Sequence, residues 1–579
     1  MGASPRPAER RATVAIWLMA LSVLAWVPGG FSRFVFAKLL VTVVACLFGA
    51  LGTRHGRLPR RVVVVLIAGA TVFVVAALAG GTPLASLLGR WPRYEGLPVL
   101  GVYAASAWLG ARSVGLDVDR LRQLVAALAA MTWLLLVFSA LDLAHVSPLG
   151  HAAESRDGSL LGNATDQGLV AMMAVAVLAG AWLLEHSRWL LASAAAGVAT
   201  VAISGSRTSM ALVVVVVVAQ ILADRRVAGL GSLRRVATAT VATVVLLLAV
   251  ALAVPVTRDR LTSLTTGHGR LLLWQLTGRM VLDHPFLGVG PSRFVDAIGG
   301  YETPAWIHWV GVRTVPDSPH DWILQLLVAG GVPLLLAGLA LAAYVVLLGW
   351  RAGRERPHLR GCYAAALAYG IAMLVNFTIA SSTCLAAFLA GVAIAVPASA
   401  AVAVWQRVAQ AGAAGVATIA LLLGCASEIE LGHGYGAAAA GDLTSAVSDF
   451  DAARALRPGD GDVAMLASQS LAGLVDDGDR AAVGPTESNA EISLRRTPDT
   501  YASRITLAVA QIAASRFRDA ETELDRTVAL YPQRPDGYLQ RGIARFELHR
   551  DAAARTDLER ARRLEPHNRA ALTLLRKLR

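Results

Sequence analysis

The first three quarters of the chain alternate long apolar runs with short polar connections. Thirteen runs approach the length of about 20 residues that a helix needs to cross a bilayer. This pattern predicts an all-α, polytopic membrane domain of about 13 transmembrane helices over residues 1–426. The predicted spans lie at about 12–27, 34–52, 62–79, 97–111, 121–143, 167–184, 189–204, 208–223, 236–256, 322–349, 361–377, 383–403 and 409–426.

Composition supports a membrane protein. Hydrophobic residues make up 55% of the 579 positions, charged residues 16%, and the mean hydropathy is +0.56. The formal net charge of +13 comes mostly from Arg in short connections between spans, so it predicts membrane orientation and not nucleic-acid binding. The four cysteines form no CxxC pair, which indicates neither a disulfide framework nor a zinc site: Cys46, Cys362, Cys384 and Cys425. Residues 422–425 resemble a lipoprotein cleavage box, and processing at Cys425 stays open.

The Arg-rich connections alternate along the chain and fall on the side of the N-terminus. By the positive-inside rule, that side is cytoplasmic. The long loop 257–321 and the residues after 426 are then expected outside the plasma membrane. The arginines that support this orientation are Arg54, Arg57, Arg60, Arg61, Arg112, Arg120, Arg122, Arg188, Arg225, Arg226, Arg234, Arg235, Arg351, Arg354, Arg356, Arg360 and Arg407.

Residues 427–579 have a soluble composition and an internal repeat. Ala520, Leu524 and Pro532 recur 34 positions later as Ala554, Leu558 and Pro566, and an earlier copy starts at Ala446. The spacing of that copy leaves room for a degenerate copy with a short insertion. This period resembles that of tetratricopeptide repeats, and predicts an α-solenoid of helix pairs that bury their apolar faces on neighbouring pairs. An unrelated helical bundle is the alternative.

The long loop carries an unusual set of residues for chemistry. Arg270 opens a predicted helix with Trp274 on the same face, and the helix is expected to end before Pro285. An apolar turn at 286–291 and Arg293 follow, and His320 lies where the next span begins. Arg207, between two central apolar runs, adds a cation near the same predicted surface, where charge is costly and often functional.

These residues resemble the O-antigen ligases and related lipid-linked polysaccharide polymerases over roughly residues 60–400. That family shows Arg followed by Trp, a His-Pro-Leu-Gly-Val-Gly-like turn, and a His-Asn pair at the next span. The corresponding residues here are Arg270 and Trp274, the segment 284–290, and His320 with Asp321 in place of Asn. The segments 89–96, 161–163 and 204–209 also resemble the family.

The resemblance implies a GT-C-type membrane glycosyltransferase with an undecaprenyl-diphosphate-linked glycan as donor. It implies catalytic roles for His320, Arg270 and Arg293, with His320 as general base for the acceptor hydroxyl. Arg207, Arg270 and Arg293 are expected to bind the diphosphate, because Arg forks suit phosphate oxygens. No metal or other cofactor is expected, because Arg can neutralise the developing charge. The expected partners are membrane lipids, a glycan, lipid or protein acceptor, and a protein bound by the repeats.

Two other classes compete with this interpretation. A transporter or flippase of lipid-linked sugar would also have many spans, but its charges are expected at the midplane and its halves as inverted repeats. A membrane-anchored repeat scaffold in envelope polysaccharide assembly would leave the loop residues unexplained. The sequence does not distinguish ligase from polymerase, and it does not identify the sugar, the acceptor, the oligomeric state or the ligand of the repeats.

Overall fold

The computed structural model describes residues 7–146, 159–223, 230–262, 266–312, 315–398 and 403–578. Across these ranges the fold is all-helical and lacks β-strands, with one isolated bridge between Arg57 and Val396. The α-helices are α1 Pro7–Leu21, α2 Val35–Leu51, α3 Arg60–Ala79, α4 Pro83–Leu88, α5 Leu97–Ser113, α6 Val118–Leu143, α7 Ala164–Glu185, α8 Arg188–Ser204, α9 Arg207–Ala223, α10 Leu230–Ala253, α11 Pro255–Thr262, α12 Thr266–Asp283, α13 Phe294–Ala297, α14 Pro304–Val310, α15 Trp322–Glu355, α16 Arg360–Ala372, α17 Ala380–Ala393, α18 Val404–Ala439, α19 Leu443–Leu456, α20 Gly461–Asp476, α21 Val483–Arg496, α22 Tyr501–Ala513, α23 Phe517–Leu530, α24 Pro535–Glu547, α25 Asp551–Leu564 and α26 Arg569–Lys577. Short 3₁₀ helices occur at Ser22–Leu24, Ser159–Leu161, Ile298–Tyr301, Pro357–Leu359 and Arg480–Ala482.

The predicted all-α, polytopic architecture is confirmed. Each predicted apolar run overlaps a helix. Within the described ranges, six helices contain a stretch long and apolar enough to cross a membrane, in α3, α6, α7, α10, α15 and α18. Several other predicted spans form shorter apolar helices, such as α2, α8, α9 and α17, so the count of 13 spans stays a prediction.

Small residues let the central helices of the membrane domain pack closely. Helix α7 lies in the middle and packs against α8, α9 and α16. Helices α5 and α17 meet along a glycine contact, where a Cβ on Gly391 would lie 1.9 Å from the carbonyl oxygen of Ala107. Close backbone approach of this kind is the usual basis of helix association inside membranes.

The apolar turn in the long loop fits into a break in helix α15. The break lies at Gly330 and Gly331, whose backbone angles are not helical. Gly290 N donates to the carbonyl of Val328 at 3.2 Å, and Val332 N donates to that of Pro285 at 3.0 Å. Gly288 has φ +64°, and a Cβ there would lie 2.2 Å from the carbonyl oxygen of Val328. The Gly-Val-Gly turn therefore anchors the loop at the break in α15.

The long loop forms a small hydrophobic core together with Val328 of α15. Leu273, Leu276 and Met280 of α12 pack with Phe294, Ile298 and Trp306 from later in the loop. As predicted, α12 ends at Asp283, just before His284 and Pro285.

Residues after 426 form stacked helix pairs, as the repeat predicted. The recurring positions Ala446, Phe450, Ala520, Leu524, Ala554 and Leu558 are all fully buried. The degenerate copy is present in α21, where Thr486 and Ala490 are also fully buried. Helix α18 runs from the apolar segment into the first pair without a break at 426–427, and Cys425 lies inside this helix. Packing of the repeats begins next to it, where Ser427 Oγ donates to the carbonyl of Ala453 at 2.9 Å.

Ion pairs fix the repeat domain to the long loop and to the 89–96 loop. Buried Arg90 pairs with Asp296 of the long loop and with Asp462 of α20, with 2.7 Å between Arg90 Nη2 and Asp462 Oδ1. Arg534 Nε donates to Glu302 at 2.9 Å. Arg457 Nη1 donates to the hydroxyl of Tyr94 at 3.0 Å. These three segments therefore lie on one side of the membrane domain.

Candidate active site

A cavity of about 530 Å³ opens where the 89–96 loop, the long loop and the start of α15 meet. Its mouth is polar and includes Arg93, Glu95, Asp317 and His320. Below the mouth it continues between α3, α5, α15 and α17 along apolar side chains: Leu58, Val62, Leu66, Phe73, Leu341, Val345 and Ile394. The cavity thus joins a cluster of ionisable groups to a long apolar groove.

His320 is held at the mouth by its neighbours in the loop. Its backbone has φ +54°, and its N–H donates to Ser318 Oγ at 3.3 Å. Trp274 Nε1 donates to the carbonyl of Pro319 at 3.0 Å, so α12 supports the turn just before His320. The imidazole packs edge-on against Phe377, with 4.8 Å between ring centroids.

Arg93 is the cation that shares the mouth with His320. Its Nε and Nη2 each donate to Asp317 at 2.9 Å, a bidentate geometry that fixes the guanidinium plane. The guanidinium also lies 4.6 Å from the ring centroid of Phe377, the ring that His320 contacts. Burial raises the pKa of Glu95, against the lowering effect of Arg93. Burial alone would raise the pKa of Asp317, but Arg93 and His320 bring it below the ordinary value.

The surroundings of His320 lower its pKa and so favour the neutral imidazole at physiological pH. Burial, with added repulsion from Arg93 and Arg270, lowers its pKa to about 4, although Asp317 acts in the opposite direction. A neutral imidazole can accept a proton, as a general base must. A bound anion beside it would raise this pKa towards neutrality.

We expect the acid limb of kcat to lie at a higher pH than that of kcat/KM for an anionic donor. The neutral imidazole is the active form, so activity falls as pH drops through the pKa of His320. The kcat/KM profile reports free enzyme and the kcat profile reports the donor complex, where the anion raises the pKa. Steady-state rates measured from about pH 4 to 8 define both limbs. The fluorescence of the protein over the same pH range is the control for folding. Coincident limbs would contradict this assignment.

Of the three arginines predicted for the site, Arg270 is the one whose charge acts on His320. It is half-buried on α12, one turn before Trp274, and its charge lowers the pKa of His320. The described wall of the cavity contains neither Arg207, Arg270 nor Arg293. Arg270 is therefore a neighbour of the mouth and not part of its wall.

Arg293 and Arg207 occupy different places. Arg293 Nη2 lies 3.4 Å from Asp499 of the repeat domain, although its neighbours Ser292 and Phe294 do line the cavity. Its buried Nε has no hydrogen-bond partner among the described residues. Arg207 is exposed at the N-terminus of α9, next to a hydroxyl pair in which Ser206 Oγ and Ser209 Oγ are 2.9 Å apart. The structure thus does not gather the three predicted arginines around His320.

Asp321 and Asp117 both cap the N-termini of helices. Asp321 Oδ1 accepts from Leu324 N at 2.8 Å as the N-cap of α15, a role that Asn performs equally well. Asp117 caps α6 and lies 2.9 Å from His55 on the other side of the membrane domain. Within the described ranges, no group of three or more His, Cys, Asp or Glu side chains is placed to hold a metal ion.

Local sequence patterns point to only part of the mouth. The 89–96 loop resembles the family, but nothing in one sequence shows that Arg93 pairs with Asp317 more than 200 residues away. Asn376, Phe377 and Thr378 line the mouth from the break between α16 and α17. Asn376 and Phe377 fall at the end of the predicted span 361–377, and Thr378 falls in the connection after it, so the sequence predicts no contribution of these residues to a site.

Part of the chain that forms this mouth, including His320, lies in a segment that matches a known family. Residues 191–339 match the O-antigen ligase family. The matched range includes Arg207, Arg270, Arg293 and His320, and it confirms the resemblance predicted from these motifs. The O-antigen ligase match supports a role for this multi-pass membrane protein as a glycan ligase or polymerase.

Other comparisons add little to the O-antigen ligase match. No curated protein matches the chain. The crystal structure of the APC/C hetero-tetramer Cut9-Hcn1 matches with 12% identity and TM-score 0.19, covering 83% of this chain and 87% of that chain. The crystal structure of the yeast Tom70 matches with 9% identity and TM-score 0.20, covering 83% and 92%. At these TM-scores the two structures do not support a fold assignment. The assignment of helical repeats depends on the stacked helix pairs observed after residue 426.

Proposed function

We propose that this protein transfers or polymerises a glycan from a polyprenyl-diphosphate donor, of the undecaprenyl type, onto an acceptor hydroxyl. The observation that carries this proposal is the cavity at His320. Its polar mouth suits a sugar diphosphate, and its apolar groove suits the polyprenyl chain.

The distribution of charge along the cavity favours a transferase over a transporter. Every charged residue on its described wall belongs to the segments 90–95 and 317–321. The groove below them is apolar, so it would accept a lipid tail but offers no path for a polar head group.

The chemistry needs a base and a stabilised leaving group. His320 Nε2 or Nδ1 would take the proton of the acceptor hydroxyl while its oxygen attacks the anomeric carbon. The bond from that carbon to the diphosphate oxygen breaks, and the electron pair leaves with the diphosphate. A single displacement inverts the anomeric configuration. Arg93 and Arg270 would stabilise the negative charge that develops on the diphosphate.

Arg207 and Arg293 would also bind the diphosphate in this proposal, although neither lines the cavity. The buried Nε of Arg293 has no hydrogen-bond partner among the described residues, and its neighbours Ser292 and Phe294 line the cavity, so a rotated Arg293 side chain would contribute its charge to the diphosphate. Arg207 lies at a helix N-terminus, where anions are favoured. No metal is needed in this scheme, because guanidinium groups supply the positive charge.

The site is proposed to face outside the plasma membrane, with a cytoplasmic N-terminus. We expect alkaline phosphatase fused after the last residue to be active, because the repeats are ion-paired to the loops of the site. A fluorescent protein fused at the same position should not fluoresce, because it is exported in an unfolded state. An inactive phosphatase with a bright fluorescent fusion would place the site in the cytoplasm.

The repeat domain is proposed to position the acceptor or to bind a protein partner, and not to carry chemistry. The repeat domain contacts Arg90 and Tyr94, which belong to the same loop as Arg93 and are only a few residues from it in sequence. Stacked helix pairs provide an extended surface suited to a long ligand.

We expect Gly101→Leu to raise the KM for a long-chain donor about tenfold with little change in kcat, because the new side chain fills part of the groove. Gly101 lines the cavity within α5, and an added Cβ would meet no atom within 4 Å. Steady-state kinetics with long-chain and short-chain donors measures the effect, which should shrink for the short chain.

Gly370→Leu is the matched control for the groove. Gly370 lies in α16, also has open space around its Cβ, and is not part of the described cavity wall. Equal kinetics of the two variants would show that the groove does not hold the polyprenyl chain.

A further inference from the structure

A second cavity lies on the opposite side of the membrane domain. It has a volume of about 310 Å³ and is formed by the connection between α2 and α3, the end of α5 and the start of α18. Its wall contains Arg54, Arg57 and Arg112 together with Trp108 and Trp405. No carboxylate lines it in the described part of the chain.

The guanidinium of Arg112 is fixed in this wall by neutral acceptors. Arg112 is 2% exposed, and its Nε and Nη2 donate to the carbonyls of Gly49 and Ala50 at 2.7 and 3.0 Å. These bonds orient the group without neutralising its charge. A buried charge without a counter-charge is costly, so an anion in the cavity would stabilise the fold.

Arg54 and Arg57 add positive charge to the same cavity. Arg54 Nε donates to the carbonyl of Gly56 and Arg57 Nε to that of Pro397, both at 3.2 Å. Burial, with added repulsion from Arg57, lowers the pKa of Arg54. Three guanidinium groups therefore converge on a space large enough for a phosphate group.

The surroundings favour a lipid over a soluble anion. Beside the cavity, α18 exposes Val404, Trp405 and Val408, which are 76%, 69% and 65% exposed. Such an apolar surface beside basic groups matches the boundary between acyl chains and head groups, where Trp is enriched. Basic pockets between membrane helices are suited to anionic head groups.

We propose that this cavity binds the phosphate of an anionic phospholipid in the leaflet opposite to the His320 site. The acyl chains would lie along the exposed apolar face of α18. This proposal does not depend on glycosyl transfer.

Native mass spectrometry of the full-length, delipidated protein tests the proposal. Phosphatidylglycerol, phosphatidylcholine and inorganic phosphate are each titrated against it in detergent. We expect one phosphatidylglycerol to bind in preference to phosphatidylcholine. The double variant Arg54→Gln/Arg57→Gln should weaken that binding about tenfold.

The control is Arg351→Gln/Arg354→Gln, which removes the same charge at exposed positions near the end of α15. It should leave phosphatidylglycerol binding unchanged. Equal loss in both double variants would show a diffuse charge effect and overturn the proposal. Equal binding of phosphatidylcholine would also overturn it, as would inorganic phosphate that displaces the lipid at similar concentration. The melting temperature of each variant without lipid confirms folding.

Discussion

Replacement of His320 by Ala is expected to lower kcat for glycan transfer by about 10² to 10⁴, the usual cost of losing a general base. The reason is its position at the mouth of the cavity, as a neutral imidazole beside Arg93 and Asp317. Single-turnover transfer with a saturating donor measures the chemical step. Binding of the donor should change little.

The backbone of His320 calls for a second variant. With φ +54°, this position strains Ala, whereas Asn tolerates left-handed backbone well. His320→Asn should fold like the native protein and lose transfer to the same extent. His308→Ala, at an exposed position of α14 in the same loop, is the matched control. Near-native turnover in His320→Asn would rule out the base assignment.

Replacement of Arg93 by Lys is expected to lower kcat by about 10² to 10³, comparable to the loss of one group that stabilises developing charge. Lys keeps the positive charge but loses the planar fork that binds Asp317 through two nitrogens. Replacement by Ala would leave the charge of Asp317 unpaired and would destabilise the protein. Lys keeps a positive charge beside Asp317, so a lower rate in this variant reports the catalytic effect and not unfolding.

Arg541→Lys provides a control of the same chemistry. Arg541 also binds a carboxylate through Nε and Nη2, at 2.9 and 2.7 Å from the two oxygens of Asp557, but in the repeat domain. Both variants should lose similar stability, and only Arg93→Lys should lose transfer. Equal activity in the two would contradict a role for Arg93 at the site.

Helices and repeats could be predicted from the sequence because their patterns reflect packing directly. The recurrence of Ala520 and Leu524 at 554 and 558 marks side chains that are fully buried between helix pairs. Likewise, the residue before Pro285 disfavours helical backbone, and α12 ends there. His320 was identified from a motif and lies at the mouth of the cavity, although its role stays a prediction.

The rest of the site depends on contacts between distant segments. The Arg93–Asp317 pair joins two loops that no local pattern connects. Arg293 was selected because it follows the Gly-Val-Gly turn, and sequence spacing does not reveal that its guanidinium meets Asp499 of the repeats. The mouth also uses the connection between α16 and α17. The sequence predicts a connection between two spans here, but no local pattern links it to the site.

Glycosyl transfer is tested most directly with the purified full-length protein in detergent, with EDTA present. The donor is a polyprenyl-diphosphate-linked glycan, used alone to detect polymerisation and with extracted membrane glycolipids to detect ligation. We expect glycan transfer with inverted anomeric configuration, release of one polyprenyl diphosphate per bond formed, and loss of both in His320→Asn. Movement of intact donor between leaflets of reconstituted vesicles, with no bond cleaved under any of these conditions, would contradict glycosyl transfer by this protein.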